Sequence, residues 1–200
     1  IYYNIMKKFF TLFLAFSSVC AMHAAFFDFE DATANAQWQF IQDDQTNFWT
    51  IGTSADTVPD GNNALYITND SSSYAYTNNV SSVSWAYIPV TLTGADTISF
   101  SWKGGYSSYA KLYVYLFPEG TLPTAGDSNA SNAIKLTEKS GSSNWTNLSI
   151  YSTTAVGTYN LCFMWKNTSS YSGYQSIAID NVHIDAPITL QQAPLTYLLY

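Results

Sequence analysis

The chain has 200 residues, enough for one substantial domain and short for two. Its 14 acidic residues outnumber seven basic ones, every basic residue is Lys, and the formal charge is −7. Nucleic acid binding needs a basic footprint, and this composition excludes one.

Met6-Lys7-Lys8 and the following FFTLFLAFSSVCAMHAA combine a basic start, an apolar core and small residues at the end, the pattern of a signal peptide. Cleavage is expected near Ala24 or Ala25. The apolar run is too short for a membrane span, and Val19 fits poorly ahead of Cys20 as a lipoprotein site. IYYNI before Met6 reads as translation upstream of the true start. Residues 1–25 are therefore expected to be upstream and signal sequence, 26–185 one domain, and 186–200 a linker or the start of a missing segment. Without Lys7 and Lys8, five Lys face 14 acids, a charge of −9. Only Cys162 then remains, so no internal disulfide can form, which favours a bacterial exterior over a disulfide-stapled scaffold. No membrane span is expected in the mature chain, and its expected place is extracellular or on the cell surface.

From residue 26 the apolar pattern alternates in short runs between Gly, Pro, Asn, Asp and Ser clusters, with no helical period. FFDFE (26–30) and NFWTIG (47–52) open the set. NALYITND (63–70) alternates Leu65 and Ile67 with Ala64 and Tyr66. SWAYIPVTL (84–92) contains Pro89 and belongs at an edge or a bulge. DTISFSWK (96–103) puts Ile98, Phe100 and Trp102 on one face and Ser99 and Ser101 on the other. AKLYVYLF (110–117), NWTNLSIY (144–151) and GTYNLCFMWK (157–166) follow, and SIAIDNVHI (176–184) closes a set of about nine strands. That number suits a two-sheet jelly roll. The segment 118–143 is long for a hairpin and is expected to cross from one sheet to the other. Lys103 and Lys166, each after a strand-ending Trp, are expected to lay their stems across aromatic surface.

In the last strand, Ile177 and Ile179 alternate on one parity, and Val182 and Ile184 on the other. One inserted residue at Asp180-Asn181, a β-bulge, produces that change of step. The closing strand of a jelly roll commonly runs beside the first, which here carries Asp28, Glu30 and Asp31. A bulge that turns Asp180 toward Glu30 brings carboxylates together, and Ca²⁺, with its many oxygen ligands, fits such a place.

FFDFEDA, NFWTIG, ALYITND, TISFSWKGG, AKLYVYLFP and SIAIDNVHI stand in the order seen in MAM-like jelly rolls. Together they resemble the cleaved-adhesin and "choice-of-anchor" type domains of bacterial surface proteins. The resemblance covers 26 to 185, and FSWKGG and AIDNV are its most specific pieces. It implies an all-β fold, a two-sheet antiparallel jelly-roll β-sandwich of the concanavalin or galactose-binding kind, non-catalytic and often holding calcium. Carried over residue by residue, it makes Glu30 in DFED and Asp180 in AIDN candidate metal ligands. The other role open to both is to cap backbone at a strand end and meet solvent. The chain departs from the pattern in lacking further repeats, a recognisable sorting domain and the disulfides of animal MAM domains.

Sixteen Tyr and six Trp exceed the needs of a core. Several Tyr sit in Ser-, Gly- and Asn-rich loops at 71–79, 104–109 and 169–174, the composition of recognition loops. With strands alternating up and down, the first two loops share an end, which makes Tyr74, Tyr76, Tyr106 and Tyr109 the candidate ligand cluster. The loop at 169–174 falls with 118–143 at the other end. The alternative is that these Tyr pack on an outer sheet face with wet hydroxyls.

Catalysis finds little to build on. His183 is the one His of the mature chain, no nucleophile elbow accompanies it, and Cys162 lies in a strand. Clusters of His and Cys for zinc and glycine loops for phosphate are missing. Fourteen acids leave paired-carboxylate hydrolysis open by count, although Asp43-Asp44 and Asp56/Asp60 sit in polar loops that favour solvation or turns. The leading expectation is an exported recognition or adhesion module that binds glycan or a cell-surface protein, with structural calcium. A structural spacer of a larger surface protein, or an accessory module of a secreted hydrolase, are the alternatives.

Overall fold

The computed structural model describes residues 24–104, 109–152, 155–168 and 176–185. Eleven strands and one short helix are present in these segments, two strands more than the sequence pattern suggests. They form two antiparallel sheets packed face to face. The first contains β3 (Phe48–Gly52), β4 (Ala64–Thr68), β11 (Ala178–Asp185), β6 (Asp96–Gly104) and β9 (Ser142–Ser152) in that spatial order, with β1 (Ala25–Phe27) also paired to β11. The second runs β2 (Gln39–Ile41), β5 (Ser82–Thr93), β10 (Val156–Asn167), β7 (Ala110–Pro118) and β8 (Ile134–Lys139). This is a two-sheet β-sandwich with the opening and closing strands side by side, Ala25 to Phe27 against Ile184 to Val182.

The period-2 pattern explains the core. Ile98, Phe100 and Trp102 of β6 face Leu112, Val114 and Leu116 of β7 and Leu161, Phe163 and Trp165 of β10 across the gap between sheets. Trp38 wedges between Phe27, Phe29 and Phe163 at centroid distances of 5.6, 5.5 and 5.8 Å. At one end, Asn47 joins the sheets: its Nδ2 donates to Ser82 Oγ (3.1 Å) and Asn167 Oδ1 (3.0 Å), and all three residues are buried.

Three expectations need correction. The first strand ends at Phe27 rather than residue 30, because Phe29 takes a left-handed φ of 62° and Asp31 caps the helix α1 (Ala32–Asn35) by accepting from the Thr33 amide. The segment after β7 does not carry the chain straight to the other sheet. It crosses the outer face of the second sheet, where Ala130 and Ala133 pack against an apolar cluster that includes Trp85, Tyr115, Phe117 and Met164, and then adds β8 beside β7. The change of sheet comes at the two-residue link Ser140-Gly141. That extra strand reverses every later direction. The flanks of the 169–174 loop, Thr168 and Ser176, consequently stand with Tyr109 and Tyr74: the Thr168 amide donates to the Tyr109 carbonyl, and the Tyr74 hydroxyl to that of Ser176. The loop's own residues lie outside the described segments.

Pro89 sits in a central strand, yet its position obeys the rule for edges. β2 covers β5 only from Trp85 to Tyr87, while β10 pairs with the other side along the whole strand. Among the described residues, no helix is long and apolar enough to cross a membrane.

Candidate functional site

On β6, the residues between the core positions, Thr97, Ser99, Ser101 and Lys103, face outward; on β9 so do Asn147, Ser149 and Tyr151. Register sets these into rows across the sheet. One row runs Phe26, His183, Ser99, Ser149 over β1, β11, β6 and β9. The next, about 7 Å along the strands, runs Asp180, Ser101, Asn147, and on the other side stands Asp185, Thr97, Tyr151. Ser101 Oγ donates to Asn147 Oδ1 at 2.7 Å, fixing the middle of this floor.

The 53–63 loop rises over one side of the rows and closes them into a groove of about 480 Å³. Its lining includes Phe26, Pro59, Asp60, Ser99, Ser101 and Asn147, with Ser149, Asn181 and His183. The Phe26 ring, 47% exposed, lies tilted by 34° against His183 with centroids 4.2 Å apart. The groove thus offers a hydroxyl- and amide-rich floor, one aromatic platform and one carboxylate at the rim.

Beneath that rim is the bulge. Between Asp180, opposite Ser101, and His183, opposite Ser99, β11 carries one residue more than β6, and Asn181 absorbs it with a left-handed φ of 49°. This is the change of step expected at Asp180-Asn181. Asp180 is fully buried. Its Oδ1 accepts the Asn181 amide at 2.7 Å, while Oδ2 has no hydrogen-bond partner. Burial pushes its carboxyl up to about 6; the Asn181 amide and the nearby Asp60 amide, short of hydrogen-bond geometry, work against that, and the charges of Asp60 and Asp28 add to it.

Glu30 serves the same loop. Its Oε1 accepts the amides of Asn62 (2.7 Å) and Asn63 (2.6 Å), and Oε2 accepts Asn63 Nδ2 (2.8 Å). Those backbone donors hold its carboxyl below the usual range. Gly61 sits directly over this carboxylate at φ +62°, where a Cβ would stand 2.3 Å from Oε1. The two carboxylates singled out in the sequence are therefore gathered on one four-residue segment, Asp60 to Asn63.

The Tyr cluster divides. Tyr74 is tied inward: its hydroxyl donates to the Ser176 carbonyl, its ring meets Tyr66 edge-on at 6.1 Å, and burial, with the Asp56 charge, raises its pKa. Tyr76 packs edge-on against Trp165 at 5.1 Å. Tyr109 is 47% exposed at the start of β7, and Tyr106 lies outside the described residues. Lys103 is 3% exposed, its Nζ donating to the Asp56 carbonyl beneath the rings of Tyr74 (5.1 Å) and Trp145 (5.2 Å). Cys162 and His183 stand on opposite outer faces of the sandwich, Cys162 in the apolar cluster of the second sheet and His183 in the groove.

No family model matches the chain, and no curated protein matches it. Solved structures do. The K1 cleaved adhesin domain of Lys-gingipain from Porphyromonas gingivalis W83 is 15% identical, with 82% of this chain and 98% of that domain covered and a TM-score of 0.55. The K3 cleaved adhesin domain of the same protein is 19% identical over 82% and 98%, TM-score 0.51. A CBM22 xylan-binding domain from Paenibacillus barcinonensis Xyn10C is 14% identical over 80% and 92%, TM-score 0.49. The chain has the fold of the cleaved adhesin domains, a jelly-roll β-sandwich. The MAM-like part of the resemblance rests on the sequence motifs alone.

Sequence reasoning overlooks the groove. Phe26, Asp60, Ser99, Ser101, Asn147, Ser149, Asn181 and His183 line it, and composition places Asp60 in a solvated turn. The available signal is the Ser and Asn alternation in TISFSW and NWTNLSIY, two strands that turn out to be neighbours.

Proposed function

We propose that this chain is an exported, non-catalytic recognition module that holds a glycan in the groove on the outer face of its first sheet. The carrying observation is the in-register row Phe26, His183, Ser99, Ser149 with the Ser101–Asn147 row beside it. An apolar ring face suits the C–H face of a sugar, and hydroxyls and side-chain amides that both donate and accept suit its hydroxyl groups. Affinity electrophoresis in gels holding soluble polysaccharides tests this. Retardation of the wild-type chain that weakens about tenfold in Phe26→Ala, the scale of an interface anchor, supports it. A wild-type chain that no polysaccharide of a broad panel retards overturns it.

Calcium belongs to the same reading as a structural ion. Asp180 brings a buried oxygen without a partner and Glu30 a carboxylate on the same segment, so the donors suit a hard cation. Among the described residues no three His, Cys, Asp or Glu side chains group closely enough to hold a metal. Backbone carbonyls and water would thus complete the shell. Held by Asp180 and Glu30, the ion would supply positive charge to the buried Asp180 carboxylate, and mass action would raise the melting temperature with its concentration.

A further inference from the structure

We infer that Asp60 is a charge filter, so that the groove takes uncharged glycan chains and rejects those bearing carboxylate or sulfate. This rests on the glycan reading above and adds the chemical class of the ligand. Three acids stand in or near the groove: Asp60 in the lining, Asp180 buried beneath the rim and Asp185 on the neighbouring row. Among the described residues no Lys offsets them. Lys103, the one on this face, is sealed under two rings with its ammonium on a backbone carbonyl, and Lys111, Lys135, Lys139 and Lys166 all belong to strands of the second sheet. His183 is the only ionisable base in the lining.

Of the three acids, Asp60 is placed to meet a ligand. Asp180 is wholly buried, and Asp185 lies beyond the lining. The Asp60 side chain accepts the Gly61 amide through Oδ1 (2.9 Å), which leaves Oδ2 for vicinal hydroxyls of a neutral sugar. In the ion-free chain, a uronate or sulfate brought to the same rim would meet a like charge that no Lys among the described residues offsets. At a separation of about 5 Å in well-hydrated surroundings, that repulsion is worth about fourfold in affinity for one charge, and each further charged unit along the groove adds to it.

The test is affinity electrophoresis, in chelator throughout, of the wild type, Asp60→Asn, Asp60→Lys and Glu119→Gln in gels of neutral glucans, xylans and galactans, and in gels of polygalacturonate and alginate. Glu119→Gln removes the same charge from the turn after β7, far from the groove in the other sheet. The inference expects wild type to be retarded by a neutral polymer at least tenfold more strongly than by polyuronates. It expects that ratio to fall about fourfold in Asp60→Asn, to fall further in Asp60→Lys, and to stay put in Glu119→Gln. Equal retardation of wild type by polyuronates, or equal shifts in Asp60→Asn and Glu119→Gln, overturns the filter and leaves the glycan reading standing. Retardation by nothing overturns both. Circular dichroism melts of each variant ensure that a lost ratio is not lost folding.

Discussion

Asn181 shows how one residue can organise a site. Its φ of 49° is open to Asn and Gly and costly for a β-branched side chain, so Asn181→Gly is expected to leave stability within a few tenths of a kcal/mol and Asn181→Val to cost about 2 kcal/mol in urea unfolding. Equal losses in both would mean that the bulge does not depend on backbone conformation. Tyr74 makes a second residue-scale case. Its hydroxyl supplies the donor for the Ser176 carbonyl, next to Gly104, where a Cβ would come within 1.7 Å of that same oxygen. Removing the hydroxyl in Tyr74→Phe is expected to cost about 1–2 kcal/mol of stability with glycan affinity unchanged. A variant of wild-type stability with a tenfold loss of affinity would instead return Tyr74 to the role its loop composition suggested.

At the scale of elements, the sandwich depends on how few polar residues join its two layers. Asn47 stands at the start of β3 in the first sheet, while Ser82 and Asn167 belong to β5 and β10 in the second. Asn47 Oδ1 also accepts the Thr77 amide, and Trp49 Nε1 donates to the Ser84 carbonyl beside it. Asn47→Ala leaves several buried partners unmet and is expected to cost about 2–4 kcal/mol, read from urea unfolding, whereas a loss below about 0.5 kcal/mol would show that the layers hold without this link. Strands with strong alternation, such as β6, β7 and β10, are legible in the order of their residues. So is the bulge, because a change of parity is a property of the string itself. β8 escapes because its sequence, IKLTEK, is that of an edge: Lys135 and Glu138 pair on the exposed side at 2.7 Å, and only Leu136 of the strand packs on the core. β2 is three residues long, below what periodicity can register. Missing β8 then misplaces the ends of later strands, and with them the loops. The groove is illegible for a different reason: its residues come from five separated segments, and only register reveals that Phe26, His183, Ser99 and Ser149 stand in one row.

Over the whole molecule, an excess of acid is tolerated because most of it is at the surface; of the two buried acids, Asp96 is met by hydrogen bonds from Thr93 and Gly94, and Asp180, with one oxygen unmet, is the costly one. Its folded-state pKa, near 6, lies above the ordinary 3.8, so the native state holds the proton more tightly than the unfolded chain does. Its stabilising contribution is therefore fully present below about pH 4 and is lost as pH rises through about 6, amounting to about 2–3 kcal/mol at most. Asp70 behaves oppositely: hydrogen bonds from Ser72 and Ser73 lower it to about 2, so its contribution is present above about pH 4 and fades below. The two windows do not overlap, which lets Asp180 be isolated. In chelator, Asp180→Asn is expected to melt above the wild type at about pH 7.5, with the gap about halved at pH 5 and closed below about pH 4, where the unfolded chain is protonated too. Added calcium should then raise the wild-type melting temperature at about pH 7.5 and leave Asp180→Asn nearly unmoved, because only a carboxylate at this position offers the ion its charge. A gap independent of pH would remove the argument from burial. Equal responses of the two proteins to calcium would remove Asp180 from the ion's shell, and the rim segment over Asp180 would then owe its order to Glu30 alone.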